Sequence, residues 1–161
     1  MKILLEIPDN KALSFMDIMN SISYVKVRPI SKVKARLLSD IKDAIEEMNL
    51  IKDMGANFIR LGHYQQSRIT LNLCDSLGIL AWEEIPWCRG GVGGDRYKNQ
   101  AYGMMTNMIT QHRNHPAIIL WGLGNENDWP GDFPTYDKKE VRNFMITLNE
   151  LAHKLDPSRK T

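Results

Sequence analysis

The pattern of apolar positions changes near Gly55. Beyond it, short apolar runs alternate with longer segments in which apolar residues recur at helical spacing. The short runs predict β-strands over residues 57–61, 79–83 and 117–121, and the longer segments predict helices over 67–77, 95–113 and 137–155. Strands that alternate with helices of this length predict a parallel sheet, either an open doubly wound sheet or part of a (β/α)8 barrel.

The residues before Gly55 have a different pattern. Apolar residues over 2–7 and 24–27 predict two short strands, and helical spacing predicts helices over 9–22 and 32–54. A complete barrel takes about 250 residues, and only 109 follow residue 52. We therefore expect a small α/β segment over 1–52 and a partial (β/α)8 TIM barrel of about three strand–helix units over 53–161.

Composition excludes several classes of protein. With 25% charged and 43% hydrophobic residues, the sequence is typical of a globular protein. The 21 basic and 19 acidic residues predict no nucleic-acid partner and no anionic membrane partner. The longest apolar runs fall short of a membrane span, and Glu6 interrupts the first of them, unlike a signal peptide. We expect a cytoplasmic chain, although a longer parent protein could be periplasmic.

The two cysteines, Cys74 and Cys88, lie too far apart for a CxxC motif and have no matching histidine cluster. They predict free thiols rather than a metal or redox site.

Polar and aromatic residues follow each of the three predicted strands beyond Gly55. They are Arg60, His63 and Tyr64; Glu83, Glu84 and Trp87; and the run from Asn125 to Trp129. Because the carboxyl ends of parallel strands open onto one face, we expect these residues at one rim. Carboxylates beside indole rings suit glycoside hydrolysis, in which one acid protonates the leaving oxygen and a second carboxylate about 5 Å away attacks the sugar. Glu126 and Glu84 are the candidate carboxylates, and Trp87 and Trp129 are the candidate stacking surfaces.

Each of these residues also has a purely structural interpretation. Glu84 could line a barrel as the partner of an arginine, and Arg60 could form an ion pair at a strand end. His63 could be a half-buried histidine with its hydrogen bonds satisfied, and Asn125 could be a loop or capping residue before the last helix. Spacing by itself leaves both interpretations open. The indoles within strands, Trp82 and Trp121, are expected in the core.

Residues 50–161 resemble the catalytic barrel of glycoside hydrolase family 2, which includes β-galactosidases, β-glucuronidases and β-mannosidases. The segments concerned are IKDMGANFIRLGHY at 51–64, LCDSLGILAWEEIPW at 73–87 and NHPAIILWGLGNEND at 114–128. The resemblance implies a retaining β-glycosidase, most often a β-galactosidase, that acts on a carbohydrate substrate. It implies no cofactor and no metal site.

The same resemblance assigns roles to individual residues. It implies that Glu126 is the acid/base and that Asn125 contacts the sugar beside the glycosidic bond. Arg60 and His63 match the motif of the second barrel strand, and Glu84 is expected to shape the pocket rather than to act as the nucleophile.

Two departures from the family pattern affect the expected activity. Gln65 stands where the family usually has a proline after the His-Tyr pair. The family's nucleophile is a second glutamate on a later barrel strand, and nothing in this sequence matches it. We expect the chain alone to be inactive and to self-associate through open sheet edges.

The first 27 residues, MKILLEIPDNKALSFMDIMNSISYVKV, and the charged helix after them resemble short antitoxin-like proteins of bacterial toxin–antitoxin modules. This resemblance implies an alternative function, in which a protein-binding module is fused to an inactive barrel fragment.

Overall fold

The fold was analysed in a computed structural model of the full chain. It describes residues 3–89, 91–129 and 136–161. The backbone divides into two compact units, residues 1–40 and 41–161, within one helix. This division comes earlier than the predicted domain boundary after residue 52, which stays a prediction.

The first unit is helical. A 3₁₀ turn at Asp9–Lys11 leads into helix α1 (Ala12–Asn20), and neither element has a buried residue. The strands predicted over 2–7 and 24–27 are wrong for the described residues, since 3–7 and 24–27 belong to no strand, and residue 2 lies outside the described part. At Val25 the backbone N–H donates to the Ile22 carbonyl at 3.0 Å, so this segment begins in a turn. An apolar run forms a strand only where a second strand accepts its backbone hydrogen bonds.

Helix α2 (Lys32–Asp53) begins in the first unit and continues into the second. It is followed by Gly55, which has a φ of 84°. This left-handed conformation is open to glycine and strained for other residues, which explains the position of the helix stop.

The second unit contains three parallel strands in the order β1 (Phe58–Leu61), β2 (Leu80–Glu84) and β3 (Ile118–Gly122). All three predicted strands are confirmed. A register irregularity between Ala81 and Trp82 interrupts the pairing of β2 with β3. On the outer side of β3, Lys160 forms a parallel bridge with Leu120.

Three helices connect and cover the strands: α3 (Arg68–Leu77), α4 (Asp95–His112) and α5 (Lys138–Leu155). The Ser67 hydroxyl accepts from the Thr70 N–H and begins α3, and the Asp137 carboxylate accepts from the Lys139 N–H and begins α5. One apolar core fills the unit; its fully buried members include Leu71, Ile79, Met105, Met108, Ile109, Trp121 and Leu148. The predicted fold class, an α/β partial TIM barrel, is confirmed.

The segment after α5 is fixed by a polar cluster around Asp156. Its carboxylate accepts from the Trp121 indole at 3.0 Å, from Arg159 Nη1 at 2.6 Å and from the Ser158 backbone and hydroxyl. Burial opposes ionisation, but the hydrogen bonds from Ser158, Arg159 and Trp121 outweigh it and hold the pKa of Asp156 well below its usual range.

In the described part of the chain, no helix has the length and apolar character needed to cross a membrane.

Candidate active site

The loops after β2 and β3 lie side by side at the carboxyl edge of the sheet. Pairing continues past the strand ends as a parallel bridge between Cys88 and Asn125. The Asn125 N–H donates to the Trp87 carbonyl at 2.8 Å, and the Arg89 N–H donates to the Asn125 carbonyl at 2.8 Å. The rim predicted from the parallel strands therefore brings these two loops together.

Glu84 is the centre of a cluster at this rim and is fully buried. Arg60 donates to its Oε2 from Nη2 at 2.7 Å and from Nε at 3.2 Å. The His63 Nδ1 lies 2.6 Å from Oε1 of the same carboxylate. A buried carboxylate needs such partners, because an unpaired charge in the interior is strongly unfavourable. Both oxygens of Glu84 are thus engaged, and the predicted arginine partner is Arg60.

Asn125 is joined to this cluster through its side-chain amide. The Arg60 Nη2 donates to Asn125 Oδ1 at 2.7 Å, and Asn125 Nδ2 donates to Cys88 Sγ at 3.3 Å. The Arg60 guanidinium also lies over the Trp82 ring, 4.5 Å from its centroid. Arg60 of β1 therefore contacts both β2 and the loop after β3 at the rim.

Glu126 differs from Glu84 in being open to solvent. Its side chain is 56% exposed, and its Oε2 lies 3.5 Å from Arg89 Nε. The backbone at Glu126 has a φ of 50°, and its carbonyl accepts from the Trp129 N–H at 3.1 Å. The chain thus turns sharply after Asn125 and leaves an ionisable carboxyl group accessible beside an arginine.

Two glycines before Asn125 permit this close approach of the loops. A Cβ on Gly122 would lie 2.5 Å from Trp82 Nε1 and 2.7 Å from Glu84 Cβ. A Cβ on Gly124 would lie 2.9 Å from the Trp87 carbonyl oxygen. Because real Cβ atoms essentially never approach so closely, the G-L-G sequence before the Asn-Glu pair is a packing requirement of the rim.

The sequence analysis missed a second buried carboxylate with its own partners. Glu83 is fully buried, and His112 at the end of α4 is 1% exposed. The His112 Nδ1 lies 2.9 and 3.0 Å from the two Glu83 oxygens, and the Gln66 N–H donates to Glu83 Oε1 at 2.8 Å. The Glu-Glu pair in the sequence could have indicated this second cluster. Consecutive strand residues point to opposite faces, so two buried carboxylates in a row need separate partners.

Gln65 belongs to the same surroundings. Its Nε2 donates to Gln111 Oε1 at 3.1 Å and lies 3.4 Å from His112 Nε2. The residue that stands where the family usually has proline therefore connects the loop after β1 to the end of α4.

The two candidate stacking residues have different environments. Trp129 is 54% exposed and remains available as a stacking surface. Trp87 is 1% exposed, its ring packs edge-on against Phe144 with centroids 4.9 Å apart, and its Nε1 donates to the Gly91 carbonyl at 3.1 Å. Packing against Phe144 of α5 buries the Trp87 indole, so of the two residues only Trp129 has an exposed ring, and the stacking role of Trp87 stays a prediction. Trp121 is a core residue as expected.

Across residues 3–89, 91–129 and 136–161, no three histidine, cysteine, aspartate or glutamate side chains form a group that could hold a metal ion. Burial, then the nearby Asp75, raises the pKa of the Cys74 thiol to about 11. Burial, then the nearby Cys88, raises the pKa of Tyr97. Both groups are therefore neutral hydrogen donors at pH 7.

Comparison with known proteins gives a consistent result. The family described as "Glycosyl hydrolases family 2, TIM barrel domain" matches residues 32–161. The chain is 37% identical to a β-glucuronidase of Bacteroides fragilis over 123 residues, which are 72% of this chain and 17% of that protein. It is 37% identical to a β-galactosidase of Thermoanaerobacterium thermosulfurigenes over 112 residues, which are 70% of this chain and 14% of that protein.

Among solved structures, β-glucuronidase 3 of Bacteroides uniformis superimposes with a TM-score of 0.72 and 69% identity. The alignment covers 74% of this chain and 15% of the B. uniformis chain. The chain therefore spans about one sixth of the length of the relatives that it matches.

Proposed function

The chain belongs to glycosyl hydrolases family 2, within the TIM barrel domain, and from this premise we propose that it supplies the acid/base side of the site of a retaining β-glycosidase. The observation that carries the proposal is the position of Glu126, an exposed carboxyl group beside the Arg60–Glu84–Asn125 cluster at the rim. The substrate is a carbohydrate with a β-glycosidic bond.

Glu126 is the proposed acid/base. In the first step its carboxyl group protonates the glycosidic oxygen as the leaving group departs, and in the second step the carboxylate removes a proton from the attacking water. Its 56% exposed side chain supports this role, because the group must reach a bound substrate and exchange protons with it.

Asn125, Arg60 and His63 are the proposed sugar-binding groups. The Asn125 amide oxygen is fixed by Arg60 at 2.7 Å, and the His63 ring is fixed by Glu84 at 2.6 Å. Side chains held in this way bind hydroxyl groups without losing much rotational freedom. The exposed Trp129 ring offers an apolar face against the pyranose.

Glu84 is not the proposed nucleophile. Its carboxylate is fully buried and already accepts hydrogen bonds from Arg60 and interacts with His63, so attack on a sugar would require breaking this cluster. We assign the nucleophile to a second glutamate on a later barrel strand. It follows that these 161 residues by themselves should turn over glycosides negligibly.

The proposed substrate is a β-glucuronide. The support is the 69% identity to β-glucuronidase 3 of B. uniformis, against 37% identity to the β-galactosidase of T. thermosulfurigenes. A β-galactoside, which the family resemblance suggested first, is the alternative.

A chimeric enzyme tests the proposal. The matched segment of B. uniformis β-glucuronidase 3 is replaced by the corresponding residues of this chain, and hydrolysis of aryl β-glucuronides and β-galactosides is measured. We expect a clear preference for glucuronide. Glu126→Gln should lower kcat/KM by roughly 10²- to 10⁴-fold, the usual contribution of general acid–base catalysis. Added azide should restore turnover of the activated aryl substrate, because azide needs no general base.

Asp128→Asn is the matched control, because it removes an exposed carboxyl group two residues away. It should retain most of the activity. An inactive chimera that is nevertheless folded, or a Glu126→Gln variant with unchanged kcat/KM, would contradict the proposed function. Hydrolysis by the unfused chain that survives Glu84→Gln and disappears with Glu126→Gln would contradict the proposed position of the nucleophile.

For the residues ahead of the family match we keep the second candidate, a protein-binding module. The support is the exposed apolar surface of the first unit, where Ile3 is 66% and Leu13 is 83% exposed. Expression of residues 1–54 alone tests it. A cooperatively folded dimer would favour the module, whereas an unfolded peptide would count against it.

A further inference from the structure

The loop over residues 62–67 is held on two sides by consecutive glutamates. This loop joins β1 to α3 and presents His63 and Tyr64, whose side chains are exposed at the rim. On the open side, Glu84 engages the His63 ring at 2.6 Å. On the helix side, Glu83 accepts from the Gln66 N–H at 2.8 Å. Adjacent strand residues point to opposite faces of a sheet. Glu83 and Glu84 therefore contact the same loop from opposite faces, one at the Gln66 N–H and the other at the His63 ring.

The hydrogen bond between Glu83 and the loop depends on His112, which holds the Glu83 carboxylate. Both side chains are buried, with Glu83 at 0% and His112 at 1% exposure. The imidazole Nδ1 lies within 3.0 Å of both Glu83 oxygens. Without this partner, Glu83 would be a buried carboxylate with one remaining backbone donor, which is strongly unfavourable. It would then move toward solvent, and this movement alters the acceptor that holds the Gln66 N–H.

The other nitrogen of the same imidazole faces the loop directly. The His112 Nε2 lies 3.4 Å from Gln65 Nε2, and Gln65 also donates to Gln111 at 3.1 Å. Residues 65 and 66 therefore both contact groups that meet at the end of α4, one through its side chain and one through its backbone. The loop position is thus set by α4 as well as by the strand that precedes it.

We propose that Glu83 and His112 are positioning residues of the glycosidase site, which hold the loop over 62–67 so that His63 stays against Glu84 and faces the sugar. This inference rests on the proposed function and deepens it. Neither residue touches the substrate. Both act on it through the backbone of Gln66 and the ring of His63.

Nuclear magnetic resonance of the isotopically labelled 161-residue chain tests the proposal without any need for turnover. His112→Leu removes the donor to Glu83, and His112→Gln retains an N–H donor. In His112→Leu we expect the amide of Gln66 to exchange with solvent roughly tenfold faster, as for the loss of one hydrogen bond. The imidazole signals of His63 should move toward those of an unbonded histidine. His112→Gln should keep both readouts near those of the unmodified chain.

His153→Leu is the matched control, since it makes the same substitution on α5. It should leave the Gln66 and His63 signals unchanged. A folded His112→Leu variant with unchanged signals at both residues would overturn the proposal. Equal acceleration of exchange throughout β2, α3 and α4 would also overturn it, because that result marks a general loss of stability.

If His112→Leu does not fold, Glu83→Gln provides a milder test at the other member of the pair. It keeps the side-chain volume but removes the negative charge and one of the two acceptor oxygens that face Gln66 and His112. We expect exchange at Gln66 to accelerate severalfold and the His63 signals to shift in the same direction. Unchanged signals would overturn the proposal. If the His112 variants give the expected changes at Gln66 and His63 but the chimera is inactive, only the proposed glycosidase function would be contradicted.

Discussion

Residues 3–40 and 41–161 have similar helical patterns in sequence and very different burial in structure. In the first unit, α1 has no buried residue and Leu13 is 83% exposed. In the second unit, Leu71 of α3 and Leu148 of α5 are completely buried, and the buried apolar residues of the described chain begin at Met48. The family match, which begins at residue 32, includes all of them.

The difference teaches that an amphipathic pattern predicts a helix without specifying what covers it. In proteins most helical stability comes from packing of the apolar face, and short isolated helices are marginal in water. Helices α3, α4 and α5 pack on a parallel sheet, so their pattern is matched by a core. The pattern in α1 has no buried counterpart among the described residues of its own unit.

The largest expected effect compares a leucine from each unit. Leu71→Ala should lower the free energy of unfolding by about 2–5 kcal/mol, because it removes buried contacts and leaves a cavity. Leu13→Ala should change it by less than about 0.5 kcal/mol. Urea unfolding followed by circular dichroism measures both. A large loss of unfolding free energy in Leu13→Ala would show that the first unit has a core in solution. The two units would then no longer differ in burial.

Much of the second unit, residues 41–161, which we call the barrel unit, could be predicted from sequence. There the local apolar pattern agrees with the packing of the elements in the fold. Short apolar runs mark β1, β2 and β3, and the helix starts predicted at Ser67 and Asp137 coincide with side chains that cap α3 and α5 in the structure. The strands predicted over 2–7 and 24–27 failed because pairing is not a local property. An apolar run of that length carries no information about whether a partner strand is available.

The rim was predictable in part for the same reason. Parallel topology was enough to place the loops after β2 and β3 together, and the structure adds that Glu84 and Asn125 share Arg60. The Glu83–His112 pair was missed because its members come from different elements 29 residues apart. The burial of Trp87 was missed because a loop position does not show that Phe144 of α5 packs on the ring.

Two glycine substitutions compare a crowded position at the rim with an open position on α4 of the barrel unit. Gly122→Ala places a Cβ 2.5 Å from Trp82 Nε1, so we expect a loss of about 1–3 kcal/mol from overpacking. Gly103→Ala on α4 meets nothing within 4 Å and should stabilise the helix by about 0.5–1 kcal/mol. Thermal unfolding of both variants checks the signs. A neutral Gly122→Ala would contradict the packing requirement inferred for the rim.

Acid sensitivity is expected to belong to the barrel unit. Since the pKa of Asp156 is lowered in the folded chain, its charged form adds stability above the pKa of an unfolded aspartate, and this contribution is lost as pH falls below about 4. Asp156→Asn should therefore lower the free energy of unfolding at pH 7 by about 1–3 kcal/mol. The difference from the unmodified chain should shrink on acidification below that pH.

The matched control is Asp17→Asn, at an exposed carboxylate of α1. Its effect should stay within about 0.5 kcal/mol at every pH. Denaturant titrations between pH 7 and pH 3 compare the two variants. A difference for Asp156→Asn that does not depend on pH would show that its carboxylate is not stabilised by folding.

The smallest expected effect distinguishes the two units as surfaces for the self-association that we predict. The sheet exposes Phe58 at 39% and Leu80 at 42%, whereas the first unit exposes Leu4 at 57%. If association occurs through the sheet, Leu80→Lys should weaken it by roughly tenfold, as for one interface anchor, and Leu4→Lys should not. Sedimentation velocity over a range of concentrations measures both. The opposite result would favour association through the first unit. It would support the proposed binding module, because the exposed apolar residues of that unit would then be shown to contact another protein chain.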